Sequence, residues 1–264
     1  MHTTQSRDGT RIAFNQLGQG PALVMVGGAL QHRALDRVIG QRAALLAQRF
    51  TVLLYDRRGR GDSGDTQPYT VEREIEDLEA AIDSAGGCAY VLGMSSGGAL
   101  ALEAAVALGA KIQKLAVYEV PYNDDTAARA SWAHFAPELR ALLAADRRED
   151  ALMLFMRQVG TAEEQIAGMR DSSLWPMLVS VAHTLAYDIT VLGPDCAIPA
   201  ERVARVAAPT LVLDGGASFA FMPVTARALA RLIPDAQHRT LAGQTHAVQA
   251  EVLAAALGEF FVEE

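Results

Sequence analysis

Gly93-Met94-Ser95-Ser96-Gly97 joins an apolar run, Ala89 to Leu92, to an Ala- and Leu-rich stretch from Ser96 to Leu108. The run reads as a buried strand and the stretch as a helix. A chain that passes from strand to helix this abruptly holds Ser95 in a cramped backbone conformation. Small residues on both sides admit that conformation without collision. The G-x-S-x-G turn lifts the Ser95 hydroxyl above the sheet and points the Ser96 N–H, at the helix start, toward the same spot.

The chain on either side alternates in the same way. Arg11 to Asn15, Ala22 to Val26 and Thr51 to Tyr55 read as strands, with Ala34 to Gln48 helical between the last two. Thr70 caps the next helix, which carries Glu72 and Glu74 at its positive end and Ile75, Leu78 and Ile82 along one face. Gly109 stops the helix after Ser95, and Lys114 to Tyr118 is a further strand. Strands and helices at this spacing predict a parallel sheet covered on both faces. The alternation stops between about Asn123 and Arg205, where the periodicity is helical throughout: Trp132, Phe135, Leu139 and Leu142 share one face, and Leu174, Leu178, Val181 and Leu185 another, after a cap at Asp171 or Ser172. Strand and helix then resume with Thr210 to Asp214, Thr225 to Leu232, His238 to Leu241 and an amphipathic Val248 to Phe261.

Composition removes several function classes. The net charge is −8 and only two lysines occur, Lys111 and Lys114, with no basic stripe to meet a phosphate backbone. Cys88 and Cys196 form no metal-ligand spacing and read as a pair of buried free thiols. The N-terminal residues lack the charged and apolar regions of a signal peptide, and no apolar run approaches the roughly 18 residues of a membrane span. A cytoplasmic protein with no nucleic-acid or membrane partner, no metal and no cofactor is the expectation.

With its strand before and its helix after, the Ser95 turn makes the whole chain resemble the α/β-hydrolase superfamily. The resemblance implies a mostly parallel central sheet flanked by helices, with residues 1–122 and 206–264 as the core and 123–205 as an inserted helical cap roofing the active site. It implies Ser95 as nucleophile. His246, between the last strand and the last helix, stands where the superfamily places its catalytic base. The acid usually follows the strand ending at Asp214, yet no carboxylate occurs between Asp214 and Asp235, and Ser218 occupies the expected place. Two replacements remain open. Glu119 ends the Lys114–Tyr118 strand, where some haloalkane dehalogenases carry a glutamate acid, although those enzymes use an aspartate where this chain has Ser95. Asp214 itself is the other, though it lies early for the usual reach. The oxyanion donors implied are the N–H groups of Ser96 and of Gly28, the latter in Val26-Gly27-Gly28-Ala29, which resembles the superfamily's His-Gly-x turn with valine in place of histidine.

The loop Asp56-Arg57-Arg58-Gly59-Arg60-Gly61-Asp62-Ser63 reads as structural, its arginines pairing with carboxylates; it lacks the lysine of a phosphate-binding loop. Trp132, Phe135, Trp175, Met177, His183 and Tyr187 are candidates for an aromatic wall over the site, which suits a small hydrophobic substrate. The function expected is a serine hydrolase acting on a carboxylic ester or lactone. A carbon–carbon bond reaction, perhydrolysis or cyclisation in small-molecule biosynthesis, and a non-catalytic binder of small molecules, stay open beside it.

Overall fold

Among the described residues eight strands form, the inner ones from short apolar runs bounded by turn residues. In chain order these are β1 (His2–Gln5), β2 (Arg11–Leu17), β3 (Ala22–Val26), β4 (Thr51–Tyr55), β5 (Ala89–Met94), β6 (Ile112–Tyr118), β7 (Thr210–Gly215) and β8 (Ala236–Leu241). The computed structural model describes residues 1–35 and 37–262. The strands form one sheet in the order β1-β2-β4-β3-β5-β6-β7-β8. From β4 to β8 every neighbouring pair is parallel, while β2 runs antiparallel to both β1 and β4.

Each inner strand is apolar on both faces, as a sheet covered on two sides requires. Val24, Leu53, Val91, Val117 and Val212 point into a core closed by α2 (Val71–Ser84), α3 (Ser96–Leu108) and α10 (Met222–Leu232). Their neighbours Leu23, Val52, Leu92, Ala116 and Leu211 point the other way, against α1 (Arg37–Leu46) and α11 (Ala250–Val262). Thr70 caps α2, its hydroxyl accepting from the Arg73 N–H at 3.4 Å. The helix expected from Ala34 to Gln48 is observed over Arg37–Leu46, with residue 36 outside the described residues.

Between β6 and β7 the chain forms only helices: α4 (Thr126–Ala144), α5 (Arg148–Gln158), α6 (Glu163–Arg170), α7 (Trp175–Val181), α8 (Leu185–Val191) and the single turn α9 (Ala200–Val203). They carry a core of their own, built on Phe135, Leu139, Leu152, Trp175, Leu178 and Leu185. One expectation is corrected here. Leu174 to Leu185 is not one helix: Pro176 sits in the first turn of α7, and a 3₁₀ turn over Ala182–Thr184 separates α7 from α8. Leu178, Val181 and Leu185 keep to one core across the break, while Leu174, before α7, is exposed. β1 was not anticipated either. It is polar and almost wholly exposed, and it is a strand by virtue of its pairing with β2.

Candidate active site

The order β4-β3-β5 places a topological switch beside β3, because the chain leaves β3 in one direction and returns to its other side as β5. Crevices at such points, outside the carboxyl ends of the strands, are where open α/β sheets bind ligands. Both loops read from the sequence emerge there. Ser95 caps α3 with φ 53° and ψ −126°, a conformation outside the ordinary wells of an L residue. Close packing around it holds that strain. A side chain on Gly97 would lie 2.4 Å from the Gly27 carbonyl oxygen, and one on Gly93 would lie 2.6 Å from the Gly98 Cα. The Ser96 N–H, first in α3, has no intrahelical acceptor.

His246 lies between β8 and α11, on a loop tied to the sheet at several points. The Tyr118 hydroxyl donates to the Thr245 carbonyl at 2.5 Å, and the Ala217 N–H donates to the Gln244 carbonyl at 2.8 Å. Its Nδ1 stands 2.6 Å from Oε2 of Glu119. Glu119 follows β6 with φ 48°, and its carboxylate is fully buried. Oε1 accepts from the Gly215 N–H at 2.9 Å, and Oε2 accepts from the Ser218 hydroxyl at 2.9 Å as well as facing the imidazole. With Oε2 of Glu119 facing Nδ1, the imidazole carries its N–H on that nitrogen and presents Nε2 to the site. Ser218 therefore has a part in the site: where the superfamily resemblance leads one to expect an acid, this chain has a hydroxyl that donates to Glu119, beside the neighbouring strand.

Asp214, the other carboxylate considered, does not reach His246. It turns toward β8, where Oδ1 lies 2.5 Å from Nε2 of His238 and accepts from the Thr240 hydroxyl at 3.1 Å. Among the described residues the Ser95 hydroxyl is not hydrogen-bonded to His246; both side chains line the same two cavities.

Gly28 lies directly against the serine, a side chain there falling 3.0 Å from the Ser95 Cβ. Its N–H donates to Oε1 of Gln31 at 2.6 Å. An amide oxygen of the chain itself thus occupies the donor that the sequence assigns to a substrate oxygen. Nothing in the sequence pattern announces Gln31, because a glutamine three residues past a glycine turn is ordinary loop composition.

One cavity, of about 500 Å³, lies between the Ser95 turn and the inserted helices; the other, of about 400 Å³, reaches from Ser95 toward α1. Phe155 and Val159 border both. Of the aromatic wall expected, only Trp132 lines the larger cavity. Phe135 and Trp175 are packed inside the helical segment, Tyr187 stacks on Tyr69 at 3.9 Å, and His183 faces Asp65 at 3.3 Å. The apolar lining comes instead from Phe155, Leu185, Ile189, Phe219 and Phe221. Phe219 also stands edge-on to His246, with ring centres 6.2 Å apart. The thiols differ from expectation too: Cys196 is buried against the larger cavity, but Cys88 is exposed. No cluster of three or more metal-ligating side chains occurs among the described residues, and no described helix is long and apolar enough to cross a membrane.

Comparison with known proteins agrees with this fold. The chain shares 49% identity with an alpha/beta hydrolase from Sphaerobacter thermophilus, covering 99% of this chain and 100% of that one, with a TM-score of 0.88. It superposes on a thermophilic esterase from Thermogutta terrifontis with a TM-score of 0.69 at 23% identity, covering 98% of this chain and 97% of the esterase, a likeness of fold. Among curated proteins it is 27% identical over 258 residues to the polyketide synthase ThaQ of Burkholderia thailandensis. That match covers 91% of this chain and only 12% of the synthase. The model of the alpha/beta hydrolase family matches residues 23–256. A strained serine elbow at the switch point of such a sheet, together with that match, has one meaning for its descent: the chain belongs to the alpha/beta hydrolase family.

Proposed function

We propose that this hydrolase cleaves a carboxylic ester or lactone of a small hydrophobic molecule through an acyl-enzyme, without a cofactor. The observation that carries the reading is the Glu119–His246 pair, 2.6 Å apart, beside Ser95 at the meeting of two cavities. A serine hydroxyl is a weak nucleophile near neutral pH and needs a base. His246 Nε2 takes the proton as Ser95 Oγ adds to the substrate carbon, then returns it to the departing alkoxide. Glu119 holds the imidazole in the required tautomer and stabilises its charged form. The Gly28 and Ser96 N–H groups receive the oxyanion. Water, activated by His246, then releases the acid. The helices over the larger cavity act as a cap that excludes water and supplies an apolar surface for one arm of the substrate. The free thiols fit a reducing compartment, and the cytoplasm is the proposed location.

The test is covalent. Incubated with an alkyl fluorophosphonate, the enzyme is expected to gain one phosphonyl group on the peptide bearing Ser95 while hydrolysis of p-nitrophenyl hexanoate stops. An enzyme that goes on turning over that ester with Ser95 fully modified does not use this serine.

Gln31 bears on the same site. A substrate oxygen must displace its side-chain carbonyl from the Gly28 N–H before that donor can serve. A hydrogen bond of this kind contributes roughly 0.5–1.5 kcal/mol net. Gln31→Ala is therefore expected to raise kcat/KM for p-nitrophenyl hexanoate by about 3- to 10-fold. A fall would mean that the amide assists the substrate instead of competing with it.

A further inference from the structure

Beside the Ser95 turn, with Asp188 and Ser96 at the wall of the larger cavity, lies a buried ionic cluster that the hydrolytic steps leave unused. Its centre is Asp188 on α8, 2% exposed and contributed by the inserted helices. Its Oδ1 accepts from the Ser96 hydroxyl at 2.8 Å and from Arg57 Nη1 at 2.8 Å, and its Oδ2 accepts from Arg60 Nη2 at 2.8 Å. Arg57 spends its other two edges on Glu74, with both contacts at 2.7 Å. Arg60 Nε donates to the Thr184 hydroxyl at 3.0 Å. Two guanidiniums thus face two carboxylates, and the formal charge of the cluster balances, as burial of ions requires. Burial alone would raise the Asp188 pKa; Arg60, then Arg57, then the Ser96 hydroxyl outweigh it and hold the carboxyl below its usual range.

The remaining donors do not end at random. Arg57 Nη1 also reaches the Gly27 carbonyl at 3.3 Å, and Arg60 Nη1 reaches the Gly28 carbonyl at 2.5 Å. Gly27 C=O belongs to the same peptide unit as the Gly28 N–H, so a guanidinium on its oxygen fixes that plane and polarises the N–H at the other end. Ser96 carries the second N–H proposed for the oxyanion. A latch that merely held the helices down would have no reason to terminate on these residues.

We propose that Asp188 is a positioning residue for the oxyanion-binding amides. It aims Gly28 through Arg57 and Arg60, and Ser96 through its hydroxyl, so that both donors are set only while α8 is seated on the core. This rests on the serine-hydrolase reading above. A contribution from the inserted segment thereby becomes part of the catalytic geometry of the sheet edge, and seating of the cap is coupled to activation.

An aliphatic trifluoromethyl ketone tests this directly. Ser95 Oγ bonds to its carbonyl carbon, the serine proton passes to His246, and the electron pair of the broken π bond stays on oxygen as an alkoxide that needs both amides. The matching trifluoromethyl carbinol fills the same cavity without forming that anion. Removing one oxyanion donor outright typically costs about 100- to 1000-fold. Misaiming both is expected to make Asp188→Asn bind the ketone about 30- to 100-fold more weakly and lose a similar factor in kcat, with carbinol affinity within about 3-fold of the parent. Ser96→Ala keeps the N–H and removes only the link to Asp188. It is expected to lower the ketone-to-carbinol ratio about 10-fold, and it carries the test if Asp188→Asn does not fold. An unchanged ratio in either folded variant, beside an inactive Ser95→Ala enzyme, overturns this assignment alone. Full activity in Ser95→Ala overturns the serine reading and this assignment with it.

Discussion

Replacing Ser95 by alanine is expected to lower turnover of p-nitrophenyl hexanoate by about 10⁴- to 10⁶-fold, the range lost when the nucleophile of a serine–histidine pair is removed. The size follows from what remains. The Gly28 and Ser96 amides, the apolar cavity and the Glu119–His246 pair all persist in the variant, so a bound ester still meets a polarising environment. What is lost is the covalent route, and direct attack by water on the polarised ester takes its place. Binding is expected to survive. The larger cavity is lined by Phe155, Leu185, Ile189 and Phe221, none of which contributes to the nucleophile, so KM should change little while kcat collapses. The Ser95 backbone, at φ 53°, has no need of the hydroxyl, and the fold should be retained. Steady-state kinetics on the purified variant, with circular dichroism to verify folding, decides the matter. Retention of more than a tenth of the parent kcat would exclude Ser95 as nucleophile.

What the sequence made legible is what local chemistry determines. The bounds of β3 and β4 could be read directly, because each is a short, largely apolar run buried on both faces. The Ser95 elbow was legible for a similar reason: only small residues fit where a strand turns straight into a helix. β1 escaped because an exposed polar edge strand has no apolar period to betray it. The aromatic wall was misplaced because helical spacing says which residues share a face, and not whether that face meets the cavity or a neighbouring helix. Phe135 and Trp175 went to the neighbour.

Asp188 is the most instructive omission. In Leu185-Ala186-Tyr187-Asp188-Ile189 it is one carboxylate in an apolar run, and its partners lie more than 90 residues away, at Ser96, Arg57 and Arg60. A signal was present in weak form. The Asp56–Ser63 loop carries three arginines, and α2 offers Glu74 to Arg57 and Asp77 to Arg58, each in a bidentate pair. Arg60 has no such partner on α2, and a guanidinium with a fully buried side chain demands one from somewhere. The reading of this loop as a set of structural ion pairs holds for Arg58, which pairs with Asp77 and Asp8. It holds as well for Arg57, paired with Glu74 and Asp188, and for Arg60, paired with Asp188, while their remaining donors also reach the carbonyls of Gly27 and Gly28.

The acid assignment carries the second large effect. Glu119→Gln is expected to reduce kcat by about 10³- to 10⁴-fold, the order seen when a triad carboxylate becomes an amide. The loss is large because the amide does more than remove a charge. Glu119 accepts from the Gly215 N–H, from the Ser218 hydroxyl and from His246. A glutamine oriented to keep the Gly215 bond through its oxygen directs its NH₂ at Nδ1. That favours the tautomer with the proton on Nε2, the nitrogen that must act as base. Asp214→Asn supplies the contrast. Asp214 turns toward His238 and Thr240, so its replacement is expected to leave kcat within about 3-fold and to lower thermal stability instead, since the buried carboxylate facing both would become an amide. The two variants have the same chemistry of change on adjacent strands, so a common loss of folding would appear in both. Near-equal losses of kcat would mean that the carboxylates act on the site through stability alone, and a large loss confined to Asp214→Asn would move the acid from β6 to β7.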